Sequence, residues 1–187
     1  MMLRLLPIVI LALGFAASPA SARDCELTEE QRREASETDW QTFDQAGGIA
    51  GTFRDLASRQ CYAEALEAYR SWLNHHGGFP DGRARGIGHF HIGQALAFTG
   101  NIDGAIAIIS KSYRDVDVEG DVARDWNNYV DGVLGYFAGD RQRIRDARER
   151  LWTSDRAFAR RQAGVLDGLR KCIDKPYATA MSPSCRD

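Results

Sequence analysis

The chain has 187 residues, 44% of them hydrophobic and 27% charged, with 24 lysines and arginines against 26 aspartates and glutamates. With no basic excess to neutralise a phosphate backbone, the composition argues against a nucleic-acid partner. The length suffices for one domain with a real core.

Residues 1–22 read as a secretory signal peptide: Arg4 precedes the apolar run 5–17, and Ala20-Ser21-Ala22 supplies a small-residue end, so cleavage is expected after Ala22. Pro7 interrupts that run, and no later stretch approaches the roughly 20 apolar residues a membrane-spanning helix needs. The expectation is a periplasmic or secreted protein without a transmembrane segment, with 23–187 as a single helical domain. Its four cysteines, Cys25, Cys61, Cys172 and Cys185, form an even set, which in an oxidising compartment favours disulfides. Of the three pairings, Cys25–Cys61 and Cys172–Cys185 are preferred, because each joins a terminal segment to a nearby helix, where closure stabilises by about 2–4 kcal/mol. The absence of CxxC weakens redox and zinc-ribbon readings.

The domain opens with Thr28-Glu29-Glu30-Gln31, a capping-box pattern that predicts an N-terminal helix within 28–45, running to about Phe43 with Trp40 and Phe43 buried. Gly47-Gly48 breaks the chain. Helices follow over about 49–58 and 62–74; in the second, Ala65, Leu66, Tyr69, Trp72 and Leu73 recur at helical spacing. It ends at His75-His76-Gly77-Gly78, where glycine tolerates a left-handed stop. After the turn Phe79-Pro80-Asp81-Gly82 comes a helix pair divided at Gly100-Asn101, then a break over 114–119. A further pair, 121–138 and 141–153, is divided at Gly139-Asp140. Ser154-Asp155 is the expected cap of a last helix reaching about Ile173, with Ala159, Ala163, Leu166 and Leu169 inward. Residues 154–187 then serve as a capping helix with a tail held by Cys172–Cys185.

The pairs overlay. Phe53, Gly93 and Gly132 fall 40 and 39 residues apart, as do Ala65, Ala105 and Ile144. A period near 40 through both helices of each unit indicates three repeats within 49–152. Small Gly93, Gly100 and Ala105 with apolar Leu96 and Ile109, echoed by Ala65 and Tyr69, resemble a tetratricopeptide repeat, whose unit of about 34 residues leaves the surplus to linkers. The segments HIGQALAF, DWNNYVDGVLGYFAGD and VLDGLRKCIDKPY, with the leader, are also similar to a group of exported bacterial proteins, which implies no activity. The repeat resemblance implies an all-α superhelical stack of about seven helices, and binding of a protein or peptide without cofactor or catalysis.

In the family resembled, the first helix of each unit lines a concave groove. Helical geometry puts Ile87, Phe90, Gln94 and Phe98 on one stripe, and a shift of 39 puts Trp126, Tyr129, Val133 and Phe137 on the next, with Tyr136 beside them. These aromatics suit an extended peptide or amphipathic helix. Arg54, at the matching place in the first unit, suits an acidic group or chain-terminal carboxylate. The other reading of the stripe is plain core. Two further sets invite weaker readings. Asp115, Asp117, Glu119 and Asp121 follow the start of a calcium-loop spacing, but Trp126 stands where the bidentate glutamate belongs, so a solvated acidic linker is preferred. His75, His76, His89 and His91 lack any metal-site spacing and read as structural or surface histidines, with His89 packed against a neighbouring helix. No GxSxG elbow, Walker loop or dinucleotide fingerprint occurs, so no enzyme motif is found. The alternative to a binding scaffold is a small-ligand or hydrolytic enzyme on a helical bundle, which predicts a pocket with convergent polar groups in place of an open groove.

Overall fold

The computed structural model describes residues 25–186, and the leader expected over 1–22 lies outside them. All regular structure among the described residues is helical, in eleven elements. These are α1 (Glu29–Glu37), a π-helical turn (Gln41–Ala46), α2 (Phe53–Ser58), α3 (Tyr62–His76), α4 (Gly82–Phe98), α5 (Ile102–Ile109), α6 (Val116–Phe137), α7 (Arg141–Trp152), α8 (Ala157–Lys171), α9 (Tyr177–Ala180) and α10 (Pro183–Arg186). The count exceeds the expected seven or so mainly through three short elements, the π turn, α9 and α10, which leaves eight. Among the described residues no helix is long and apolar enough to cross a membrane.

The capping box at Thr28 and Gln31 is formed, but α1 ends at Glu37, short of Phe43. Thr38 is extended and its hydroxyl donates to the Ala35 carbonyl, while the Asp39 carboxylate accepts from the Thr42 amide and hydroxyl, starting a separate turn. That turn is π-helical, and its wider winding sends two consecutive residues, Phe43 and Asp44, fully inside. Trp40 stays half-buried.

α2 is also shorter than expected, because Thr52 caps it by accepting from the Asp55 amide. At the other end, Ser154 does not cap α8. Its hydroxyl donates to buried Asp125, and the helix begins at Ala157. α6 starts earlier than expected, at Val116, and bends at Gly120, whose φ of 58° is left-handed.

Successive helices pack as α2 on α3, α4 on α5 and α6 on α7, with α8 against both α6 and α7. The second-helix register residues Ala65, Ala105 and Ile144 are each fully buried. Close approach between helices depends on glycine. A Cβ on Gly93 would lie 2.3 Å from Ile109 Cγ1, and one on Gly132 would lie 2.4 Å from Leu166 Cδ1.

Two apolar clusters result. One, around Phe43, Phe53, Tyr69 and Trp72, belongs to the N-terminal elements; the other, around Phe90, Trp126, Tyr129 and Leu166, belongs to α4–α8 and the tail. Trp40 packs against both. The disulfides pair as expected, Cys25 with Cys61 and Cys172 with Cys185.

Candidate functional site

The stripes on α4 and α6 face each other, with Phe90 ring-centred 5.2 Å from Trp126 and 5.1 Å from Tyr129. Their two ends fare differently. At one end the tail lays Tyr177, 2% exposed, onto Phe98 (5.1 Å), Phe137 (5.2 Å) and Tyr136 (5.8 Å). Gln94 Nε2 donates to the Tyr177 hydroxyl at 2.9 Å, and the Tyr136 hydroxyl donates to the Lys175 carbonyl. Phe98 is stacked on its other side by Tyr62. The chain's own tail therefore covers one side of Phe98, Tyr136 and Phe137, and Phe98 faces a separate cavity of about 650 Å³ that it lines with Tyr62 and tail residues.

At the other end lies a cavity of about 430 Å³ between α4, α6 and α8. Phe90, Trp126, Tyr129 and the half-buried Phe158 form its aromatic wall, and Gln94 joins the two halves. Four of the expected binding residues, Phe90, Gln94, Trp126 and Tyr129, are thus brought together, and all but Gln94 are at most 6% exposed. Arg54 is elsewhere: its Nε donates at 2.8 Å to the Asp44 carbonyl and secures the π turn.

The cavity holds a polar constellation that the motif search missed. His91 lines it and sets Nδ1 2.8 and 3.0 Å from the two carboxylate oxygens of Asp44. The Tyr69 hydroxyl donates to Asp44 Oδ2 at 2.7 Å, the Gln45 amide donates to Oδ1, and the Phe53 ring stacks on the imidazole. Asp44 is 0% exposed. Burial raises its pKa, but the His91 charge and the hydrogen bonds from His91, Tyr69 and Gln45 outweigh burial and hold it below the ordinary carboxylate value. Burial, then the Asp44 charge, pushes Tyr69 far above the ordinary phenol value.

His91 Nε2 and the Tyr129 hydroxyl have no hydrogen-bond partner among the described residues. No enclosed side-chain nitrogen or oxygen there lacks one, so both atoms reach open space, and both residues line the cavity. Burial raises the Tyr129 pKa well above its ordinary value, which keeps the group a hydroxyl. A signal for His91 was present in the sequence, since it sits four residues after Ile87 and three before Gln94 on the same stripe. Asp44, 47 residues away, left none.

Arg83 and Arg114 complete the wall. Arg114 is buried, its cation 6.0 Å from the Trp126 ring and paired with Glu119. Burial and the neighbouring Arg83 charge lower its pKa.

The remaining candidates are dispersed. Asp115 caps α6 through the Asp117 amide, Glu119 is held by Arg114, and Asp121 by Arg124 and Arg156. Among the described residues the one trio whose ligand atoms approach is Cys25, Cys61 and Glu64, and its sulfurs are bonded to each other. His89 Nδ1 donates to the Lys111 carbonyl beside α5, as expected of a packed histidine, and burial lowers its pKa. His76 contacts the Ser36 carbonyl and the Trp72 ring. Searched as a whole, the chain matches no protein-family model, no curated protein and no solved structure.

Proposed function

We propose that the protein is an exported interaction scaffold, a short tetratricopeptide-like stack, that holds a peptide or protein partner by one aromatic or branched aliphatic group in the cavity between α4, α6 and α8. The observation that carries this reading is Tyr177. The tail already places an aromatic side chain on one half of the stripe, ring against Phe98 and Phe137 and hydroxyl on Gln94. The vacant half offers similar aromatic surfaces. Its roughly 430 Å³ falls at the small end of ligand pockets, and a helix some 10–12 Å across does not enter it. The partner is therefore read as inserting a single group instead of lying along the whole stripe. Two disulfides suit the oxidising compartment that export implies.

The test is titration with N-acetyl-L-phenylalaninamide, a neutral mimic of one aromatic residue, followed by the indole N–H resonances. The expected result is a saturable shift at Trp126, weakened about threefold or more in Phe158→Ala, while Trp152, outside the cavity, stays put. Equal, non-saturating shifts at both indoles would show only weak surface association and end this reading.

A further inference from the structure

An aromatic wall accounts for binding, but not for an enclosed carboxylate held against an imidazole, or for a 5% exposed tyrosine whose hydroxyl has no partner. We propose that the cavity is also a proton-transfer site for an apolar carbonyl compound. In it His91 Nε2 is the general base, and the Tyr129 hydroxyl donates to the oxygen on which negative charge gathers. The proposal shares the cavity with the binding reading but rests on its polar atoms.

The geometry of the pair is that of a base with its orienter. Both Asp44 oxygens face Nδ1, which places the ring proton there and leaves the lone pair on Nε2, the nitrogen without a protein partner. Asp44 is itself fixed by Tyr69 and Gln45, and the imidazole face is clamped by Phe53 at 5.6 Å. The carboxylate comes from a π-helical turn, a distortion that recurs at functional sites. Asp44 touches no ligand and is a positioning residue. Tyr129 is enclosed, with burial and then Tyr177 raising its pKa against the opposing Arg186 charge, and stays protonated, as a donor to a developing oxyanion must.

The rest of the wall narrows the chemistry. It contains no serine, threonine or cysteine, so no hydroxyl or thiol nucleophile of the usual kind faces a bound group. Base and donor alone suffice for enolisation. Nε2 takes a proton from the carbon next to the carbonyl, and that C–H electron pair becomes the C=C bond. The carbonyl π pair moves onto oxygen, which accepts from Tyr129. The proton then returns from Nε2 to the same carbon, or to the far carbon of a conjugated system, and nothing else is consumed.

The experiment uses 5-nitrobenzisoxazole, a flat aromatic carbon acid. Removal of its C3 proton forms the nitrile, breaks the N–O bond and releases 2-cyano-4-nitrophenolate, read by its absorbance. Wild type is expected to turn it over with saturation, and its rate is recorded across pH. His91→Gln should lower kcat about 100-fold or more, and Tyr129→Phe about 10-fold or more with KM little changed. Asp44→Asn should lower kcat and displace the pH profile, which a merely structural role would not do. The enolate mimic 2-naphthol should compete, and should bind more weakly to Tyr129→Phe. Each variant's thermal melt is recorded so that loss of fold is not scored as loss of activity. Turnover by wild type no faster than by folded His91→Gln overturns the proposal, as does an unchanged kcat in folded Tyr129→Phe. Wild type that binds N-acetyl-L-phenylalaninamide at Trp126 without turnover overturns the base assignment and leaves the binding reading standing. Failure of both probes removes the two together.

Discussion

Asp44 is the residue whose loss the structure prices most clearly. Its carboxylate is fully enclosed and accepts from Tyr69 at 2.7 Å and from His91 at 2.8 Å. Asp44→Ala strands the Tyr69 hydroxyl, itself 1% exposed, at about 1–3 kcal/mol, and removes a charge-assisted bond worth about 1.5–3. Since the two terms share partners and do not add in full, about 3 kcal/mol is expected, or roughly 6–12 °C in Tm for a chain of this size. Asp44→Asn keeps an acceptor for Tyr69 but turns an amide donor toward a donor, and should lose about 2 kcal/mol.

The pH dependence has a definite sign. The folded-state pKa of Asp44 is depressed below its ordinary value of 3.8, so the folded protein holds its proton less tightly than the unfolded chain. That stabilisation is present in full above the unfolded value and is lost as pH falls through the folded one. Urea unfolding of wild type and Asp44→Asn at pH 5.5 and at pH 2.5 measures it: the gap should be wider at the higher pH and narrower at the lower. A gap of equal size at both values, or none at either, would refute the assignment of a paired, ionised Asp44.

Other outcomes test the packing. Gly93→Ala places a Cβ 2.3 Å from Ile109 Cγ1 and 3.1 Å from the Ala105 carbonyl, and should cost about 1–3 kcal/mol in urea titrations. Gly164→Ala, in α8 with nothing within 4 Å, should instead gain about 0.5–1 kcal/mol from helix propensity. Tyr177→Phe removes the acceptor of the Gln94 amide and should cost about 1 kcal/mol without altering the fold by circular dichroism. Replacing Cys172 and Cys185 together with serine opens a loop of 13 residues and should cost about 3 kcal/mol. Thermal melts of oxidised wild type and the double variant would show it, and the difference should vanish under reducing conditions.

What the sequence allowed to be read, and what it withheld, follows from the range of each signal. Capping at Thr28, the inward Ala159, Ala163, Leu166 and Leu169, and the shared burial of Ala65, Ala105 and Ile144 are local or periodic facts, and periodicity carries them. The pairing of Cys25 with Cys61 was legible because both lie near the chain's first helices. Asp44 was not, because the π turn departs from 3.6 residues per turn, and a regular helix would set Asp44 about 100° away from buried Phe43. Coverage of Phe98 and Phe137 was also hidden. A stripe tells which face is apolar but not which distant element lies on it, and α9 is only four residues long, too short to show a period. Phe90, Trp126 and Tyr129 are buried members of the core that also line the cavity.

The split of the apolar interior into two clusters bears on when the cavity exists at all. Asp44 is tied to Tyr69 and Phe43 in the N-terminal cluster, whereas Tyr129 belongs to the cluster of α4–α8, and His91 lies between Phe90 of one and Ile92 of the other. A partial opening confined to the first 60 or so residues would pull the carboxylate off the imidazole while α4–α8 stayed folded. Cys25–Cys61 closes that same segment. Amide exchange at Phe43 and Asp44 should therefore quicken on reduction, while exchange at Val130 and Val133 holds. On that reasoning Cys25–Cys61 would hold Asp44 against His91 as well as stabilising the fold.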